Sequence, residues 1–200
     1  MLHVSQEVPL LVKILYTAGV SVVVPVYWYA YGPSNFLWFS DLALLLTVAA
    51  LWLESPLLAS MQAVAVVLLE LLWIVDFVGR LVTGVHLIGI AEYMFQADKP
   101  RLLRGLSLFH LVLPFLLLWL VARVGYDRRA WMVQTLVAWV VLPVCYCCTK
   151  PSDNINWTFG PGQQPQTWMA PGLYVALLML FFPLCVYVPT HLALRAMMPR

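Results

Sequence analysis

Long apolar runs, separated by short polar or proline-containing clusters, dominate the pattern of this chain. Six of them cover residues 9–30, 35–53, 56–78, 103–121, 130–147 and 171–194. A helix that crosses the hydrocarbon core of a bilayer needs about 20 apolar residues, and each run is close to that length. The pattern therefore predicts an all-α fold, a multi-pass transmembrane helical bundle of six spans.

A seventh apolar stretch, residues 81–95, is shorter than the others and carries polar and flexible residues. Gly84, His86, Gly89 and Glu92 interrupt it. A stretch of this length and composition suits a re-entrant or interfacial segment better than a full crossing. We therefore expect six spans plus one short segment, with the chain leaving and re-entering the membrane on the same face.

Composition supports a membrane class. Of the 200 residues, 63% are hydrophobic and only 10% are charged, whereas soluble domains carry roughly 25% charged residues. Residues 1–200 are expected to form a single integral membrane domain. The net charge of +2 argues against nucleic acid as a partner. The expected partners are membrane lipids, with a homo-oligomer or a membrane partner subunit as further alternatives. The sequence does not indicate which membrane.

Three ionisable residues, Asp41, Glu70 and His110, lie inside the predicted spans. A charge at the centre of a bilayer costs about 2.5–3.5 kcal/mol on insertion scales, so such residues mark functional sites by default. The alternative is a structural role as hydrogen-bonding groups between helices, although such bonds average only about 0.6 kcal/mol.

The spacing of these residues predicts that they share one depth. Asp41 precedes Glu54 by 13 residues and Glu70 follows Ser55 by 15, which places the two carboxyl groups ~20 and ~23 Å from the turn between their helices. His110 lies seven residues into its own span, ~10 Å from the opposite face. In a core about 30 Å thick these are similar levels, provided that residues 81–95 do not cross.

More polar residues collect near the membrane face where residues 81–95 are expected. Asp76 and Arg80 have the i,i+4 spacing of an ordinary ion pair, and the loop of residues 150–168 could cover a pocket. We predict a polar pocket whose substrate-binding residues are Asn35, Asp76, Arg80, Asn154, Asn156 and Trp157.

The cysteines do not indicate a metal or redox site. Cys145 and Cys148 have C-x-x-C spacing with Cys147 between them, but they lie at the end of an apolar run and no second C-x-x-C completes a zinc site. Cys185 is separate. We interpret all four as packing residues or lipidation sites, and we expect neither a metal nor a cofactor.

Three segments, at residues 35–42, 106–113 and 154–157, resemble the YwaF-like integral membrane family. The first is the segment 35–42, where family members carry a Leu-Cys-containing sequence. The second is His110 early in a span, within residues 106–113, and the third is Asn-Ile-Asn-Trp at residues 154–157, similar to the family's Asn-Tyr loop. The likeness covers most of the chain in layout but few identical residues. Because the family has been connected with phospholipid acyl transfer in animals, the resemblance implies a lipid substrate.

The resemblance also implies that Ser40 stands at or near the position of the family's cysteine. If that cysteine is a nucleophile, Ser40 would need an adjacent base, and consecutive helix residues such as Asp41 do not face each other. His110 is the best candidate for the general base. Asp41 and Glu70 would hold protons or orient the other groups.

The predicted function is binding of, or action on, a lipid-like molecule by acyl transfer or hydrolysis. In that hypothesis Asn154 and Asn156 would donate hydrogen bonds to a developing oxyanion. Two alternatives remain: a small proton- or cation-coupled transporter that uses the same carboxyl groups, and a non-catalytic structural membrane subunit. The sequence does not decide whether the protein is an enzyme.

Overall fold

The computed structural model describes residues 7–162 and 164–198, and over these residues it is helical with no β-strand. The all-α prediction is therefore confirmed. Two helices contain local irregularities: α4 tightens at Ser107 and Leu108, and α6 widens into a π-turn at Phe182–Tyr187. The six main helices are α1 (Leu10–Tyr31), α2 (Phe39–Leu53), α3 (Pro56–Thr83), α4 (Arg101–Val124), α5 (Ala130–Cys148) and α6 (Pro171–Met197).

Five of these helices are long and apolar enough to cross a membrane, and α2 is the exception. At 15 residues, α2 is ~22 Å long, which is shorter than a core of about 30 Å. The prediction that the second span begins at Asn35 is thus wrong, because Pro33–Leu37 form a 3₁₀ turn and Trp38 is extended, with φ −56° and ψ 135°. A helix cannot continue through that backbone conformation.

Helix α3 lies at the centre of the bundle and packs against α2, α4, α5 and α6. Its first half presents small residues to its neighbours, and Ala59, Ser60 and Ala63 are fully buried. Small side chains let helix backbones approach closely in membrane proteins. Its ends have clear local causes, because the Ser55 hydroxyl caps the first turn and Gly84 ends the helix with φ 77°.

The seventh apolar stretch does not form a crossing helix. Helix α3 continues to Thr83, after which residues 84–91 turn back onto its last turns, followed by a 3₁₀ turn at Glu92–Phe95. Leu87 packs so closely on Gly79 that a Cβ there would lie 2.7 Å from the leucine Cδ1. We call residues 84–95 the returning segment. It agrees with the prediction of a short segment that does not cross.

Candidate functional site

A cavity of about 590 Å³ lies where α2 begins, between α3, α4, the returning segment and the loop of residues 149–170. This volume is typical of small-molecule sites, which span about 300–1,000 Å³. Most of the residues predicted for the site border this one cavity. They are Asn35, Ser40, Asp41, Glu70, His110, Asn154, Asn156 and Trp157.

His110 and Glu70 form the closest polar pair at the cavity. The His110 Nδ1 lies 2.6 Å from the Glu70 Oε2, and the two side chains are only 13% and 3% exposed. The predicted proximity of these two residues is therefore confirmed. The imidazole stacks with Trp73 and Phe109, at centroid distances of 4.8 and 4.1 Å. Two aromatic rings and one carboxylate thus fix the orientation of the imidazole.

This pairing determines which nitrogen of His110 can react. A carboxylate oxygen accepts, so in the neutral imidazole Nδ1 carries the hydrogen and donates to Glu70, while Nε2 keeps its lone pair. Within residues 7–162 and 164–198, Nε2 makes no hydrogen bond. Because His110 borders the cavity, it has the arrangement of a general base held by a carboxylate.

Asp41 lies in the first turn of α2 rather than deep inside a span, since the helix begins two residues earlier at Phe39. The carboxyl group is 4% exposed. Its Oδ2 accepts a hydrogen bond from the Asn35 amide at 3.2 Å, whereas its Oδ1 is buried and has no partner in the described ranges. The positive end of the α2 dipole favours a negative charge at this position.

Asn156 holds the broken end of α2 in place. Its Oδ1 accepts from the Phe39 backbone N–H at 3.0 Å, and its Nδ2 donates to the Leu37 carbonyl at 2.8 Å and to the Cys145 sulfur at 3.5 Å. Backbone N–H and C=O groups that are buried outside regular helix require such internal partners. Both hydrogens of the Asn156 amide are therefore already donated within the protein. The prediction that Asn156 donates a hydrogen bond to an oxyanion is thus wrong.

The Asn154 side chain likewise uses its hydrogen bonds within the structure, in this case within its own loop. Its Nδ2 donates to the carbonyls of Gly160 and Gly162, both at 2.8 Å, and its Oδ1 accepts from the Phe159 N–H at 2.9 Å. It therefore has no amide hydrogen left for a substrate oxyanion either. Asn154, Asn156 and Trp157 all have positive φ, at 39°, 52° and 57°. Such backbone is costly outside glycine and occurs where surrounding contacts over-determine it, frequently at functional sites.

Asp76 and Arg80 do not border the cavity, and they do not pair with each other. The Asp76 carboxylate is fully buried and accepts the backbone N–H groups of Ile88, Gly89 and Ala91 at 2.8, 3.0 and 2.8 Å. The Arg80 guanidinium lies 5.7 Å from the centre of the Phe95 ring. The prediction that these two residues bind substrate is therefore wrong. Both instead contact the returning segment, whose residues 88–90 form one wall of the cavity.

Ser40 borders the cavity and is partly buried. Among the hydrogen bonds of the described residues, none joins its hydroxyl to His110. Nucleophile and base need to approach within hydrogen-bonding reach, although this contact often forms only with substrate bound. A nucleophilic role for Ser40 thus stays a prediction.

Sequence reasoning missed several residues that complete the site. Trp73 lies three residues after Glu70, a spacing that places both on one face of α3, and this signal could have been used. Tyr27 and Ser107 border the cavity and their hydroxyl oxygens are 2.8 Å apart. They are 80 residues apart in the chain, and no local pattern relates them.

In the part of the chain that the structure describes, no group of three or more His, Cys, Asp or Glu residues is placed to hold a metal ion. Cys145 is buried and the other three cysteines are exposed, all as free thiols. Comparison with protein-family models, curated proteins and solved structures finds no match to the chain.

Proposed function

We propose that this membrane protein binds the polar end of a lipid-like molecule in the cavity and that His110 acts on it as a general base. The reaction class is hydrolysis or acyl transfer. The observation that carries the proposal is the 2.6 Å contact between His110 and Glu70 at the wall of a 590 Å³ cavity. The second imidazole nitrogen has no hydrogen-bond partner among residues 7–162 and 164–198.

The chemistry follows from the two ends of the imidazole. The Nε2 lone pair takes the proton of an attacking hydroxyl, whose oxygen forms a bond to the acyl carbonyl carbon. The proton then passes from Nε2 to the leaving oxygen as the acyl–oxygen bond breaks. Glu70 stabilises the imidazolium that exists between these steps. The hydroxyl belongs to water, to a second lipid or to Ser40. In the last case His110 then deprotonates water or a second lipid hydroxyl, whose oxygen attacks the acyl–Ser40 ester, and the proton returns to the Ser40 oxygen as that ester bond breaks.

A lipid-like substrate is supported by the position and the lining of the cavity. It lies among helices that are long and apolar enough to cross a membrane, and its walls include Val66, Leu69 and Phe182. The volume suits a headgroup and the adjoining ester rather than a complete two-chain lipid. The resemblance to the YwaF-like family stays a prediction that agrees with such a substrate.

The experiment compares lipid turnover by purified wild-type protein with that of H110A and E70Q, by mass spectrometry of lipids added in mixed micelles. H110A is expected to abolish turnover, and E70Q to lower it about 10²–10⁴-fold. The matched control is H191A, since His191 is also buried and bonds the Tyr126 hydroxyl at 2.6 Å, away from the cavity lining. Equal turnover by H110A and wild type would refute general-base catalysis.

Asp41 favours a second candidate, proton- or cation-coupled transport. A buried carboxyl oxygen without a partner is costly unless the group holds a proton or meets a cation. In that case the wild-type protein in liposomes would take up a solute or cation when a pH gradient is applied, and D41N would lose this uptake. Neither protein would convert lipid. Lipid conversion without any coupled uptake would exclude this candidate.

A further inference from the structure

The charges that border the cavity are strongly unbalanced. Among the described residues, the lining includes four carboxyl groups, those of Asp41, Glu70, Glu92 and Asp153, and one ammonium group, that of Lys99. Glu92 and Asp153 are exposed, whereas Asp41 and Glu70 are buried. Carboxylates thus occur at both the open and the buried parts of the lining. A cleft lined by one sign of charge concentrates ligands of the opposite sign.

The partners of the two buried carboxyl groups differ. Glu70 is matched by His110. Asp41 has one hydrogen bond, from the neutral amide of Asn35, and its buried Oδ1 has none from the described residues. A buried polar oxygen without a partner costs free energy that a bound cation or hydrogen-bond donor would recover. The group that the cavity lacks is therefore positively charged or a strong donor.

Aromatic rings also line the cavity that Asp41 borders. Tyr31, Trp38 and Trp157 all border the cavity, and the rings of Trp38 and Trp157 meet edge to face at 6.1 Å. A carboxylate together with tyrosine and tryptophan rings is the combination that recognises organic ammonium groups through cation–π contacts. An inorganic cation would need more oxygen ligands than Asp41 offers alone.

We infer that the molecule bound in this cavity carries an organic ammonium group, which Asp41 and the aromatic rings of the cavity lining recognise. This deepens the proposed function, because it names the headgroup class of the lipid-like ligand, and it rests on the binding step of that function. His110 and Glu70 act at the reacting bond, while Asp41 selects the headgroup.

The experiment measures equilibrium binding of octyltrimethylammonium to the H110A protein in a non-ionic maltoside detergent, after subtraction of partitioning into empty micelles. The H110A background removes turnover. The comparison ligand is the uncharged isostere in which carbon replaces the ammonium nitrogen. We expect about tenfold or greater preference for the ammonium compound. D41N is expected to remove the preference, and D41E to retain it.

The matched control is D98N, because Asp98 is an exposed acid outside the cavity lining. This variant should keep the full preference. Equal binding of both ligands, or a preference unchanged in D41N, would overturn the inference, and so would displacement of the probe by K⁺ as effectively as by tetramethylammonium. Loss of turnover in H110A without ammonium preference would leave general-base catalysis standing. A preference for the ammonium compound without any lipid turnover by the wild type would support the ammonium site and refute general-base catalysis.

Discussion

Replacing Asp76 by asparagine should release the returning segment from α3. In the wild type Oδ1 accepts the N–H groups of Ile88 and Gly89, and Oδ2 accepts that of Ala91, which is fully buried. An asparagine amide retains one oxygen, so its NH₂ group would face the Ala91 N–H and leave that donor unpaired. An unpaired buried donor costs about 1–3 kcal/mol, and the other two bonds weaken when the acceptor loses its charge. We expect a total of about 3–5 kcal/mol.

Hydrogen–deuterium exchange in micelles measures this change directly. A loss of about 3 kcal/mol corresponds to a roughly hundredfold faster exchange, and it should be confined to the amides of residues 84–95. D98N is the control, because Asp98 lies exposed in the same connection. Unchanged exchange of Ile88, Gly89 and Ala91 in D76N would refute the structural role that we assign to this carboxylate.

The remaining predictions concern the ends of α2 and the loop of residues 149–170. N156A should destabilise the protein by about 2–4 kcal/mol in a detergent melt, because Phe39 loses its N–H acceptor in a buried site; an unchanged melt would contradict this. G160A should lower the melting temperature as well, since a Cβ there would lie 2.7 Å from a backbone nitrogen. The Lys13 ammonium, 2.7 Å from Glu54, lowers the pKa of that carboxyl group. The contribution of the Lys13–Glu54 pair to the free energy of unfolding should therefore be complete above pH about 4.5 and should fall as the pH drops through the lowered pKa of Glu54. The pH profile of E54Q should lack this fall.

The proximity of Glu70 and His110 could be predicted because it depends only on the rise of a helix, the length of the turns and the number of crossings between the two residues. Helix rise and short turns fix the depth of residues on neighbouring antiparallel helices, and the glycines and polar residues of 81–95 argued against a crossing. The 2.6 Å contact between the two side chains agrees with that reasoning. Charged residues in apolar runs are thus informative about which helices share a site.

The start of α2 could not be predicted, because its cause is far away in the chain. Residues 35–53 form one apolar run, and nothing local shows that Trp38 breaks it. The break is stabilised by Asn156, whose amide bonds Leu37 and Phe39 from more than 110 residues away. The partners of Asp76 could not be predicted for a similar reason. Its i,i+4 spacing to Arg80 indicates an ion pair, whereas the carboxylate accepts three backbone N–H groups of residues 12 to 15 positions later in the chain.

The most direct test of the account is the hydrogen bond between His110 and Glu70. Nitrogen-15 NMR of protein labelled at its four histidines, with H110A to assign the signal, reports which imidazole nitrogen carries the hydrogen. We predict that Nδ1 of His110 is protonated, with its proton shifted strongly downfield, and that E70Q removes this shift. An unprotonated Nδ1 at neutral pH, or a His110 signal that E70Q leaves unchanged, would contradict the account.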